Sequence, residues 1–202
     1  MADPMPVAFA LFAFALGAYF VRFEGVNAGT LASGATTEAL NYAVLVAGIA
    51  EVLGGVLAII RGTGYPAYVT TTFGIWLLGF YLLVTSGSAN KEFTPDALAW
   101  YSLVLIVPVA ILAVPAFAHR NVLFMIAFLA LLGLLLFLGL GYHSLYSQIV
   151  TATVTKSAPH LSTAVDLLKV SAWCSLAAAL AIWAVFAKEV YQITGLIKRP
   201  AE

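Results

Sequence analysis

Charge is what this sequence has least of. Nine basic and nine acidic side chains among 202 residues make 9% of the chain, against 63% hydrophobic, and they cancel to a formal net charge of zero. A water-soluble domain of this size carries roughly 25% charge, so an ordinary soluble domain is excluded. The even balance gives no reason to expect nucleic acid or an acidic macromolecule as partner. The single cysteine, Cys174, stands in an apolar run, which excludes an internal disulfide and any cysteine-built metal cluster. Enzyme signatures are missing too: there is no glycine-rich phosphate loop followed by Lys, no HExxH pair and no GxSxG elbow. Intramembrane proteolysis needs two Asp, or Ser with His, at matching depth, yet Glu51 is the one acid well inside an apolar run. The sequence therefore points to no enzyme, no cofactor and no metal.

What is present is long apolar stretches. Crossing ~30 Å of hydrocarbon takes ~20 residues of helix, and six segments qualify, at about 6 to 22, 40 to 60, 66 to 86, 98 to 117, 121 to 142 and 167 to 187. We read an all-α integral membrane protein, a single domain over residues 1–202 built as a bundle of six transmembrane helices in a lipid bilayer. The opening "MADPMPVAFALFAFALGAYFVRF" reaches its apolar run with only Asp3 charged, so it reads as a retained first span and not as a signal peptide. Connections are very short after spans two and four ("RGTGY", "AHRN") and longer after one, three and five, the last being a polar loop or interfacial helix over residues 143–166. Short links force antiparallel hairpins. The amino-terminal face then holds five basic residues (Arg61, Arg120, Lys188, Lys198, Arg199) and the opposite face four, which by the positive-inside rule puts both termini in the cytoplasm.

Few polar groups lie inside the spans: Glu51 in the second, Thr70, Thr71 and Thr72 in the third, Ser171 and Ser175 in the sixth. Hydroxyls in membrane helices often bond back to a carbonyl one turn earlier, and three consecutive threonines point in three directions. Thr70, Phe73, Gly74 and Leu77 share one side of span three, a face that suits either a pore wall or core packing. Tyr19, Trp76, Tyr81, Trp100, Tyr101 and Tyr142 fall mostly near span ends, as an interfacial aromatic belt would. His143 and His160 read as loop histidines. In "DPMPVAF", Pro4 and Pro6 mark a helix start whose free N–H groups can attract an anion.

These residues resemble the acetate uptake transporters, also called succinate–acetate permeases. "DPMPVAF" resembles the family's opening motif of Asn, Pro, a small residue, Pro, Leu, Gly: Pro4 and Pro6 match, while Asp3, Met5, Val7 and Ala8 depart from it. The longer match is "AGIAEVLGGVLAIIRGTGYPAYVTTTFGIWLL", in which Gly48, Ala50, Glu51, Gly55, Arg61, Gly62, Tyr65, Thr72, Phe73, Gly74 and Trp76 stand at the family's marked positions. Span six adds Ala172, Trp173, Glu189 and Val190. The resemblance implies a six-helix protomer in a homohexamer, each protomer with its own pore. It also implies a hydrophobic constriction at Phe12, Phe73 and Leu131, with Leu129 almost as good a match as Leu131. Phe73 stands where the family has Tyr, which makes the constriction drier and removes a donor to a carboxylate.

The implied function is a channel or secondary carrier for acetate and similar short monocarboxylates, with proton coupling as one form of it. The substrate pathway would involve Glu51, Thr70, Thr72 and Gly74, with an anion site at the helix start formed by Asp3, Pro4 and Pro6. Two other readings stand beside it: a channel for small neutral solutes such as urea, short amides or ammonia, and a membrane subunit that transports nothing. Glu51 occupies a position where the family carries Gln. It is either a protonated acid that bonds as Gln would, or a titratable group that couples protons to solute movement.

Overall fold

Hydrocarbon offers no partner to a bare amide, so each apolar run satisfies its backbone within itself. A computed structural model describes residues 4–25, 35–89 and 94–196. Its elements are α1 (Met5–Glu24), α2 (Ala35–Ile60), α3 (Gly64–Ala89), α4 (Pro95–Ala118), α5 (Val122–Thr155) and α6 (Ser162–Ile193). All six are long and apolar enough to cross a membrane; the chain is a multi-pass membrane protein. Pro4 precedes α1 with Pro6 in its first turn. Thr94 caps α4 by accepting from the Ala97 N–H at 3.2 Å, and Asn121 caps α5 by accepting from the Phe124 N–H.

The two shortest links use one device. After α2, Gly62 takes φ 78°, its N–H reaches Ile59 O at 2.9 Å and the Thr63 N–H reaches Ala58 O at 3.0 Å. This is the Schellman closure, which satisfies carbonyls the helix end would leave bare. After α4 the same pair of bonds joins Arg120 to Phe117 and Asn121 to Ala116, but the left-handed position is held by Arg120 at φ 50°. A side chain is strained there. Arg120→Gly should therefore raise stability by about 1 kcal/mol, seen as a rise of a few degrees in the melting temperature of the detergent-solubilised protein.

Consecutive helices pack on one another and α6 closes back on α1, so the six form a ring in chain order, with α3 against α4 as its loosest seam. α2 approaches α3 closely, because glycines remove the side chains that would hold the backbones apart. A Cβ on Gly74 would lie 2.6 Å from Val52 N, and Gly55 makes room for the Thr71 hydroxyl. Between α1 and α6 the fastening is polar: Tyr19 Oη lies 2.6 Å from Ser171 Oγ, and Ser175 Oγ donates to Leu16 O at 2.8 Å. Ser175→Ala should cost about 1 kcal/mol, because Leu16 O loses a buried donor; thermal denaturation in detergent measures it. The loose α3–α4 seam is pinned by two tyrosines, Tyr65 donating to Leu112 O at 2.5 Å and Tyr101 to Trp76 O at 2.9 Å.

Of the two forms expected for the polar interval, loop or helix, the structure shows mainly helix. Most of residues 143–166 is helical: α5 continues to Thr155 and α6 begins at Ser162. At 34 residues α5 is about 50 Å long, so the α5–α6 hairpin extends past the hydrocarbon on the face opposite the amino terminus. Near its base His143 Nδ1 meets Asp96 Oδ1 of α4 at 2.8 Å.

Candidate functional site

Down the middle of the ring, three spaces follow one another. An antechamber of about 190 Å³ near the amino-terminal face is lined by Phe9, Tyr65, Pro66, Val69, Pro115, Ala116, His119, Asn121 and Phe124. It shares Phe9, Val69 and Phe124 with a smaller cavity of about 20 Å³, whose other walls are Phe12, Glu51, Phe73, Ala127, Phe128, Leu131 and Ile182. Phe12 also borders a far cavity of about 30 Å³, lined besides by Ala15, Leu16, Tyr19, Leu40, Val44, Trp76, Leu77, Phe80, Leu134 and Leu138. The two smaller cavities have room for a water or two. A larger solute passes only when side chains turn aside.

Helical periodicity assembles this row. On α1 the lining residues include Phe9, Phe12, Leu16 and Tyr19; on α3 they include Val69, Phe73, Trp76 and Phe80; on α5, Phe124, Phe128, Leu131, Leu134 and Leu138. Each set recurs every three or four residues, one inward stripe per helix. The stripes meet most closely at Phe12 and Phe73, whose ring centroids are 5.1 Å apart at 37°. Phe12, Phe73 and Leu131 are all buried and all border the cavity that holds Glu51. Leu129, the other leucine considered for this place, is 57% exposed.

Glu51 is 1% exposed, and its Oε1 is buried with no hydrogen-bond partner. It is the one acidic or basic residue (Asp, Glu, Lys, Arg or His) among those lining the two small cavities. Its place in the wall follows from the α2–α3 contact: Gly74 brings α3 within van der Waals distance of the Glu51 Cβ, which a Cβ on Gly74 would approach to 2.8 Å.

The remaining sequence candidates sit elsewhere. Thr70 is fully buried and donates to Pro66 O at 2.8 Å and Ala67 O at 3.2 Å, bonds internal to α3. Gly74 faces α2. Thr72 is half-buried and lines neither small cavity. Pro4 and Pro6 start α1 as expected, packed near Gly54, whose added Cβ would lie 3.9 Å from Pro4 O. Asp3 lies outside the described residues. Among the described residues no three His, Cys, Asp or Glu side chains could together hold a metal ion. Sequence reasoning missed Phe9, Phe124 and Phe128, although their spacing from Phe12 and Leu131 is visible as a helical stripe. It also set Trp76 in an interfacial belt, whereas Trp76 lines the far cavity.

No family model matches the sequence, and no curated protein matches it either. Among solved structures, the chain superposes on the "Structure of the bacterial acetate channel SatP" with a TM-score of 0.75 at 14% identity, over 100% of this chain and 99% of that one. A superposition of that extent at that identity establishes the architecture: this chain has the fold of the bacterial acetate channel SatP.

Proposed function

We propose that the protein is a membrane channel or secondary carrier for acetate and similar short monocarboxylates, each protomer conducting through its own helix ring. The observation that carries this reading is the row of three spaces broken by the apolar contact of Phe12, Phe73 and Leu131. A fold shared with a protein described as an acetate channel supports it. In the same reading both termini are cytoplasmic, the protomers associate as a homohexamer, and Phe12, Phe73 and Leu131 form the gate.

The chemistry favours passage of the neutral acid. A charge at the bilayer centre is costly, and a carboxylate shed of its water needs compensating donors. No Lys or Arg lines the two small cavities, and Glu51 would repel an anion when ionised. The Thr70 hydroxyl, which could have served as a donor, is already committed to Pro66 O. A carboxylate that takes up a proton at one face, crosses as the acid and releases the proton at the other avoids the problem. Glu51 is then the group beside the gate whose own protonation state decides whether the acid is admitted, since its ionised form would repel any solute that has lost its proton.

Uptake of labelled acetate into proteoliposomes, corrected with protein-free vesicles, tests the proton role. With the undissociated acid held at constant concentration, wild-type uptake is expected to change with pH, whereas that of Glu51→Gln is expected to stay flat. Identical profiles for the two proteins would remove Glu51 from the proton path.

A second reading, a channel for urea or short amides, has one observation in its favour. The unpartnered Glu51 Oε1 can accept from an amide N–H. Proteoliposomes that swell in urea and stay inert in acetate would establish it.

A further inference from the structure

One residue of the far-cavity wall carries a buried polar atom without a partner. Trp76 lines this cavity, and its Nε1 is buried without a hydrogen-bond partner. Indole N–H is a donor only, and a buried donor left unmatched is destabilising, so a plain phenyl ring would be the better residue if packing were its whole purpose. The indole is also held in place. It stacks on Tyr101 with centroids 6.1 Å apart and planes 13° from parallel, and Phe80 lies 5.7 Å away. Tyr101 donates to the carbonyl of Trp76 itself at 2.9 Å, which ties the side chain's own backbone to the ring it stacks on.

The other polar group of this cavity is already engaged. Ser171 gives its proton to Leu168 O at 2.7 Å, so at the 2.6 Å contact Tyr19 is the donor to Ser171. The Trp76 N–H is left as the free donor among the residues lining the far cavity, and the surrounding walls are otherwise apolar. Widened by the side-chain movement that passage of any solute larger than water requires, such a pocket suits a small solute with one accepting oxygen and a short hydrocarbon body.

Resting on the reading of the ring as a solute path, we propose that Trp76 is a specificity-determining residue. Its indole N–H takes the carbonyl or carboxyl oxygen of a solute that has passed the Phe12 and Phe73 gate, making the far cavity a second station opposite Glu51. A solute without an accepting oxygen gains nothing there.

Two measurements on the full-length protein test this. In the first, Trp76→Phe keeps a ring against Tyr101 and removes the donor. The acetate concentration giving half-maximal uptake should rise about tenfold, while Trp100→Phe, at a position 58% exposed, should leave it unchanged. In the second, indole N–H resonances of wild-type protein labelled with nitrogen-15 tryptophan are followed during titration with acetate and with acetamide. The four tryptophans are Trp76, Trp100, Trp173 and Trp183. Substituting the three other than Trp76 assigns its signal by elimination, even if Trp76→Phe does not fold. The Trp76 resonance should move downfield with whichever solute the protein transports, and the others should stay. If a solute crosses while that resonance stays fixed or the half-saturation of Trp76→Phe is unaltered, the role given to Trp76 is wrong and the transport reading stands. If neither solute crosses through wild-type protein, both fall together.

Discussion

Replacing Gly74 with valine should lower the melting temperature of the detergent-solubilised protein by about 10 °C, the consequence of about 3 kcal/mol lost. The reason is the neighbour. A Cβ at Gly74 would lie 2.6 Å from the backbone nitrogen of Val52 and 2.8 Å from the Glu51 Cβ, and backbone inside a helix cannot rotate aside as a side chain does. The two helices must separate, and the seam is long. Gly48 rests against Leu78 and the Gly74 carbonyl, and Gly55 against Thr71, so separation at one point loosens several contacts that hold α2 on α3. The site should suffer as well, because the same contact sets the depth of Glu51 in the gate cavity. Gly64→Ala is the matched control: its added Cβ would meet only the edge of Tyr68 at an ordinary 3.9 Å, and its effect should stay within about 0.5 kcal/mol. Equal melting temperatures for wild type and Gly74→Val would mean that α2 and α3 do not pack as described.

Phe73→Ala should raise acetate flux by the order of tenfold, equivalent to removing about 1.4 kcal/mol from the barrier at the gate. The Phe73 ring stands 5.1 Å from that of Phe12 and is buried to 2% exposure, and Phe12 borders both of the small cavities between which a solute would have to pass. Truncation removes one wall of the gate. Size discrimination should fall with it, so propionate and butyrate should enter at rates closer to that of acetate. Some stability will be lost, since a buried ring leaves a cavity behind; folding is checked by size-exclusion elution before flux is measured. Phe14→Ala is the control, as Phe14 is 52% exposed on the outer surface of α1 and should leave flux unaltered. Reduced flux in Phe73→Ala, with the protein folded, would place the route elsewhere.

Much of the architecture is legible in the sequence because hydropathy reports membrane depth directly. The six runs and the short links at residues 61–63 and 119–121 follow from it, whereas Phe12, Phe73 and Leu131, which are buried, are singled out by the family resemblance and not by hydropathy. What escaped was set by other physics. Hydropathy falls after Tyr142, but helix formation does not depend on lipid: residues 143–155 contain neither Gly nor Pro, so α5 runs on until Lys156 adopts the left-handed conformation. Periodicity puts Thr70, Gly74 and Phe73 on neighbouring faces of α3 without saying which neighbour each face meets. Thr70 bonds within its own helix and Gly74 faces α2, whereas Phe73 faces the axis. Trp76 looks like a belt residue by type, yet α4 lies close enough for Tyr101 to stack on it, and that contact turns it toward the interior. Contacts between helices that are distant in sequence cannot be read from the spacing along one of them.

The most direct test is the uptake of labelled acetate by proteoliposomes containing the purified protein, with an inward proton gradient and protein-free vesicles as the baseline. Uptake above that baseline, saturable with acetate and altered by Phe73→Ala, is the expected result. Uptake equal to the protein-free baseline at every pH, from protein that elutes as a folded species, would contradict a monocarboxylate pathway through this ring.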